Sequence, residues 1–172
     1  MSQLAPEIAE QLATFKQAIA WFQPRRPELF RPGALPVFIH FSDGGEFYGL
    51  PMHSAQGFKV GGPHFAREPI DPDDPQRVPS ARQIEALQGF LERHMPDAAG
   101  QPIRATGCIY TKTPDEHFII DRLPGLPQVL VVSPCSGHGY KFTPVIGEIV
   151  AQLIIDGRTP HDIEPFALAR FG

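Results

Sequence analysis

The sequence predicts an α+β fold, a mostly antiparallel sheet with flanking helices. Three observations lead there. Strand-like segments cluster on both sides of one helix instead of alternating with helices one for one. Asp43-Gly44-Gly45 lies between two apolar runs and supplies the positive-φ residues of a hairpin turn. The 20 prolines among 172 residues fall in short loops between patterned segments, as they do where strands are joined by irregular turns.

Taken in order, residues 4–15 place Leu4, Ile8, Leu12 and Phe15 on one helical face, which predicts a short helix. Gln17–Phe22 reads as a strand, and residues 24–36 as a loop with a helical turn at Pro27–Phe30. Val37–Phe41 is expected to be a buried strand, paired through the hairpin turn with Glu46–Leu50. Gly57–Gly61 is a further short strand, and residues 68–75 an acidic, proline-broken surface loop. Ser80-Ala-Arg-Gln83 is a capping box opening a helix whose buried face is Ile84, Leu87, Phe90 and Leu91, closed by Pro96. Ile103–Thr113, Phe118–Asp121 and Gln128–Ser133 are strands, with Gly125 and Pro127 dividing the last two. Thr143 as N-cap and Pro144 at the first helical position start a final helix. Its apolar face is Val145, Ile146, Ile149, Val150, Leu153 and Ile154, and Gly157 stops it. The segment Ile163–Phe171 is expected to pack back.

Composition narrows the function. With 42% hydrophobic and 20% charged residues the chain is globular, and a net charge of −4 with pI ≈ 5.9 argues against nucleic acid or an anionic membrane as partner. No apolar run approaches the ~20 residues of a membrane span. Residues 1–15 carry Glu7 and Glu10 and lack a leader pattern, so a cytoplasmic protein is expected. Cys108 and Cys135 are too few for a disulfide scaffold or a four-cysteine zinc site, and the 7 histidines show no metal-ligand spacing.

Several residues are candidates for chemistry. Cys108 follows Gly107 in a strand and is either inert core or a nucleophile or attachment point, which needs positive charge nearby. His138 lies between Gly137 and Gly139 just before the final helix, where backbone can approach a ligand closely; alternatively this is a tight turn with an exposed ring. Lys141 can anchor a carboxylate or be merely solvated. Lys59, inside an apolar strand, either serves an anion or blocks a sheet edge. Tyr48 reads as core or rim. A Cys108–His138 acyl-transfer dyad needs only that the two meet in space.

Two stretches carry more. Gly107-Cys-Ile-Tyr-Thr-Lys-Thr-Pro-Asp-Glu-His-Phe-Ile-Ile-Asp121 and Ser136-Gly-His-Gly-Tyr-Lys-Phe142, with the ending Gly157-Arg-Thr-Pro-His-Asp-Ile163, resemble FAD-dependent amine oxidases of the sarcosine oxidase and N-methyltryptophan oxidase type. The resemblance runs from about Ala5 to Phe171. It implies FAD as cofactor, covalently held through Cys108, with Gly137 and Gly139 beside it. It implies Lys59 as the cation that promotes reaction with dioxygen, Lys141 on the substrate carboxylate, and Tyr48 and His138 bordering the substrate. The implied reaction is oxidation of a secondary N-methyl amino acid, with hydrogen peroxide as product.

The chain departs from that pattern in places. Pro134-Cys135 stands where such enzymes usually have Gly-Phe, which removes an N–H and fixes φ. Gly61-Gly62-Pro63-His64 is shifted, so no role is carried onto His64. No Gly-x-Gly-x-x-Gly turn occurs, so the pyrophosphate-binding half expected of the family lies outside this sequence. The resemblance therefore implies residues 1–125 as a substrate-domain sheet with helix 80–95. It implies residues 126–172 as the strand and helix that complete an FAD-binding domain. Alone, the chain is expected to be a poor catalyst, and FAD is not required to stay bound to it. The competing readings are a non-enzymatic remnant or a subunit that binds a separate FAD-binding chain or a second copy of itself, and, third, a cysteine hydrolase.

Overall fold

The computed structural model of the 172-residue chain describes residues 6–42, 45–53, 56–62, 68–74 and 77–172. It divides into two compact units, Phe15–Ile109 and Met1–Thr14 with Tyr110–Gly172. The expected class holds, a mixed chain with antiparallel sheet and two substantial helices.

The Phe15–Ile109 unit is a six-stranded sheet under one helix. Its strands are β1 (Ala13–Phe22), β2 (Phe38–Ser42), β3 (Gly45–Leu50), β4 (Phe58–Gly61), the two-residue β5 (Glu68–Pro69) and β6 (Pro102–Lys112). The path runs β2-β3-β4-β1-β5, with β6 also on β1. Alternation along β1 sends Ala18, Ala20 and Phe22 to one face, where they join Phe58 and Val60 of β4 and Phe47 of β3 in a buried cluster. The helix α1 (Ala81–His94) closes that cluster with Leu87, Phe90 and Leu91. Its capping box is complete: Ser80 Oγ accepts from the Gln83 N–H at 3.2 Å, and Gln83 Oε1 accepts from the Ser80 N–H at 3.2 Å. Gln83 is fully buried, and its amide N–H also donates to the Lys16 carbonyl at 2.9 Å, which ties the helix start to β1.

Three expectations for the first half of the chain change. The helix over residues 4–15 shrinks to a single turn, Pro6–Ala9, and Ala13, Thr14 and Phe15 open β1 instead. The i, i+3, i+4 spacing of three side chains is weak against a ten-residue strand with long-range partners. Leu4 lies outside the described residues, as do Asp43 and Gly44 of the hairpin turn, although β2 and β3 do pair antiparallel around that turn. Val37–Phe41 is not buried. β2 ends the strand path, so Phe38 and His40 face the core while Ile39 and Phe41 stand 61% and 75% exposed. The acidic loop also contributes to the sheet: Glu68 pairs with Lys16 at 3.3 Å and with Ser80 Oγ.

In the other unit, β7 (Ile119–Leu123) and β8 (Leu126–Ser133) form an antiparallel hairpin. The residue 125/126 boundary expected from the sequence falls in its turn. The hairpin packs on one side against Ile8, Leu12, Leu168 and Phe171. On the other it packs against Ile146, Ile149 and Leu153 of α2, the helix Thr143–Ile155. Thr143 is the first helical residue and not the N-cap, a position Phe142 occupies; Thr143 Oγ1 instead donates to the Tyr140 carbonyl at 2.6 Å. Ile154, expected on the buried face, is exposed together with Ile155. The final turn has rotated past the hairpin, so only Leu153 still reaches it. Residues 163–171 pack back as expected, with Ile163 and Phe166 against the α2 side of the hairpin.

Replacing Ser80 by Ala removes the Oγ acceptor of the Gln83 N–H and the Oγ contact with Glu68, while the main-chain N–H of residue 80 can still donate to Gln83 Oε1. The expected loss is about 1 kcal/mol of stability, read as a shift in the urea unfolding midpoint; an unshifted midpoint would show that the box carries no weight here.

Candidate functional site

The face of the six-stranded sheet turned away from the Ala81–His94 helix collects most of the residues singled out in the first half of the sequence. Antiparallel register pairs Trp21 with Lys59, Leu50 with Lys59, and Tyr48 with Gly61, so Tyr48, Lys59 and Trp21 project on one side. Gly61 has no Cβ, and the Tyr48 ring lies where one would be, about 2.3 Å from its ideal position. The Lys59 ammonium sits 5.6 Å from the centroid of the Trp21 ring, and the Arg104 guanidinium of β6 lies over the same ring at 4.1 Å. Cys108 follows Arg104 by four residues along β6, so alternation gives it that face too. It is a free, half-buried thiol. Among the described residues neither Lys59 nor Arg104 is in an ion pair, so the thiol shares its face with two cations not committed to carboxylates.

Lys59 is therefore not an edge lysine: β4 has β3 on one side and β1 on the other. Cys108 is not sealed in hydrocarbon. No local sequence pattern singles out Trp21 and Arg104. Aromatic and cation fall at alternating positions of their strands, but only strand pairing brings them together.

The second group lies in the Tyr110–Gly172 portion. Residues 134–142 form a compact loop in which the His138 N–H donates to the Cys135 carbonyl at 3.3 Å and the Phe142 N–H to the Gly139 carbonyl at 2.9 Å. Gly139 can be nothing larger: an added Cβ would lie 1.6 Å from the Pro134 carbonyl oxygen. Gly137, at φ +84, has the Tyr110 ring against its Cα. Pro134-Cys135, the departure noted in the sequence, is thus built into the turn through the Pro134 carbonyl. The His138 ring stacks on Phe118 at 4.9 Å and 28°, and its edge is exposed. Lys141 is also exposed, with its ammonium 5.1 Å from the Phe142 ring.

What holds this loop is the turn 113–117, which lies within the Gly107–Asp121 motif. Ser136 Oγ accepts from the Thr113 N–H at 3.4 Å, and Thr113 Oγ1 donates to the His117 carbonyl at 2.7 Å. Both Glu116 (φ +60) and Ser136 (φ +55) sit in the left-handed region, a cost of order 1–3 kcal/mol each that surrounding contacts must offset. Lys112 is buried, 5% exposed, with its ammonium 2.8 Å from Glu116 Oε1. Asp115 is gripped by Arg170, at 2.7 Å from Nε, while the same guanidinium donates to the carbonyls of Phe118 and Ala167 at 2.8 Å each. The Arg170 bond, supported by the His117 N–H, holds the Asp115 carboxyl far below the usual carboxylate range.

Among the described residues no three His, Cys, Asp or Glu side chains converge as metal ligands, and no helix is long and apolar enough to cross a membrane.

Residues 1–153 match the family described as FAD dependent oxidoreductase. Monomeric sarcosine oxidase of Bacillus sp. (strain NS-129) is 38% identical over 172 residues, which is 99% of this chain and 44% of that protein. N-methyl-L-tryptophan oxidase of Salmonella arizonae is 32% identical over 170 residues, 98% of this chain and 44% of that one. L-proline dehydrogenase from P. horikoshii superposes with a TM-score of 0.75 at 25% identity, over 93% of this chain and 40% of that structure. The chain spans under half the length of the relatives it matches.

Asp115 also sets a pH dependence. Its folded carboxyl ionises well below the unfolded value of ~4, so the Arg170 contact contributes in full above that pH. Its contribution drains away as pH falls below ~4, where the unfolded chain takes up the proton first. Asp115→Asn is expected to flatten the acid limb of stability in urea midpoints measured from pH 7 down to pH 2.5, and Arg170→Ala to cost about 1–3 kcal/mol at pH 7. Identical acid slopes in Asp115→Asn and the parent would remove Asp115 from the account.

Proposed function

Because the chain belongs to the FAD dependent oxidoreductase family, we propose that it is the substrate-side portion of an oxidase of secondary N-methyl amino acids. The observation that carries this reading is the sheet face on which an accessible thiol, Cys108, is accompanied by Lys59, Arg104 and Tyr48. The relatives named sarcosine and N-methyl-L-tryptophan oxidase support the substrate class.

The residues present fit a flavin. A half-buried free thiol on a sheet face with two cations suits thioether attachment. In the assembled protein Cys108 would hold the cofactor. Bound FAD supplies the two-electron acceptor for the amine's C–N bond and returns the electrons to dioxygen as hydrogen peroxide. Hydrolysis of the resulting imine releases formaldehyde and the primary amine.

The chain's own side chains supply charge and orientation. The first electron onto dioxygen makes an anion, and the Lys59 ammonium, held by the Trp21 ring, offsets that charge without having to move. Lys141 is an exposed point charge for the substrate carboxylate. Tyr48 is locked over Gly61 and His138 is stacked on Phe118, so each can offer a fixed ring to the substrate. The pyrophosphate contacts of FAD belong to a portion outside these 172 residues, in which no Gly-x-Gly-x-x-Gly turn occurs. The chain alone is accordingly a poor catalyst.

Purified protein supplied with FAD is expected to absorb between about 350 and 500 nm and to stay yellow after acid precipitation. Cys108→Ser is expected to abolish the acid-stable label. A label that persists in Cys108→Ser, or a parent protein that stays colourless with the glycine-rich portion added, overturns the attachment. With the glycine-rich portion added, Lys59→Met is expected to slow peroxide formation about a hundredfold or more while leaving anaerobic flavin reduction by the amine nearly unchanged. Equal losses in both half-reactions would take the oxygen role away from Lys59.

A further inference from the structure

The ring of His138 is held by a device that none of the proposed catalytic roles uses. Its Nε2 lies 2.9 Å from the main-chain carbonyl of Glu116. A carbonyl only accepts, so Nε2 must carry the proton. In the neutral imidazole Nδ1 is then a bare acceptor, on a ring whose edge is open to solvent. The residue that offers this carbonyl is the strained one, Glu116 at φ +60, and its side chain is the acid partner of buried Lys112, at 2.8 Å. A buried ammonium needs a counter-charge, and this need draws Glu116 inward against its backbone preference. The Glu116 N–H donates to the Thr113 carbonyl at 3.2 Å, which closes the turn. Phe118 stacking fixes the plane of the same ring.

We propose that Lys112 and Glu116 are positioning residues that clamp His138 as its Nε2–H tautomer, so that Nδ1 accepts a hydrogen bond from an N–H of the bound molecule. The clamp stands on the geometry of the turn. Only the identification of the donor as a substrate amine rests on the oxidase reading. A group facing Nδ1 must bring a proton, so a protonated secondary amine is accepted there and a quaternary ammonium is not. Lys141, three residues on, takes the carboxylate of either.

Histidine-labelled full chain tests this by 15N spectroscopy without any flavin. In the parent protein the His138 Nδ1 resonance is expected at the unprotonated extreme, not at the average of a ring that samples both tautomers. Its Nε2–H is expected to exchange with water about tenfold more slowly than that of exposed His53. Lys112→Met is expected to bring both readings back to those of a free ring. Glu116→Gly, which tolerates φ +60 but loses the ion pair, is expected to do the same if Lys112→Met fails to fold, and Glu116→Gln, which keeps an acceptor for Lys112, to retain protection. A parent His138 that already behaves as a free ring, or full protection in both Lys112→Met and Glu116→Gly, overturns the clamp. In a second arm, N-methylglycine is expected to shift the Nδ1 resonance and N,N,N-trimethylglycine to leave it in place. If both or neither move it while the clamp readings hold, the amine donor is wrong and the clamp remains.

Discussion

The register between β1 and β4 is the constraint from which the proposed site follows. Pairing Ala20 with Val60 and Phe22 with Phe58 puts all four under the Ala81–His94 helix, each of them fully buried. The same pairing leaves Trp21 and Lys59 on the far face. A slip of β4 by one residue against β1 would drive the Lys59 ammonium into the core and turn Phe58 and Val60 out. The register is thus enforced by burial on one face, and the chemistry on the other face inherits it at no separate cost. Gln83 adds a polar check: its buried amide both completes the helix cap and takes the Lys16 carbonyl, so cap and strand are fixed together.

In the Tyr110–Gly172 portion the corresponding role falls to charge. Lys112 and Glu116, and Arg170 and Asp115, are ion pairs at the two shoulders of one five-residue turn. Arg170 reaches the turn from the end of the chain and also takes two main-chain carbonyls, of Phe118 and Ala167. Such multidentate, partly buried contacts can offset two left-handed non-glycine residues where isolated surface pairs would not. The result is a stiff support beneath the 134–142 loop, on which His138 is displayed. Stiffness of this kind suits a site whose task is to orient a small substrate, since misplacement by an ångström is costly in rate.

The division of labour also explains where apolar surface remains. Ile39 and Phe41 on β2, and Ile154 and Ile155 on the last helical turn, are exposed because each element offers more apolar faces than its own unit covers. Relatives more than twice as long as this chain match it across nearly all of its length.

Much of this was legible in the sequence because it is local. The capping box at Ser80, the hairpin partners around residue 43, the long strand after Pro102, and the proline-started last helix depend on neighbours within a few residues, and they appear at or within one residue of their expected places. The motifs around Cys108 and His138 fall on β6 with the turn 113–117 and on the 134–142 loop. What the sequence could not decide is set by partners distant along the chain. Residues 13–15 became strand because β1 found long-range partners, against a helical spacing that only local bonds would have rewarded. Val37–Phe41 became an edge because nothing in the strand itself records how many neighbours the sheet will give it. Trp21 and Arg104 joined Lys59, and Glu116 closed on His138, through a sheet ladder and a strained turn, and no periodicity in one segment encodes the proximity of another.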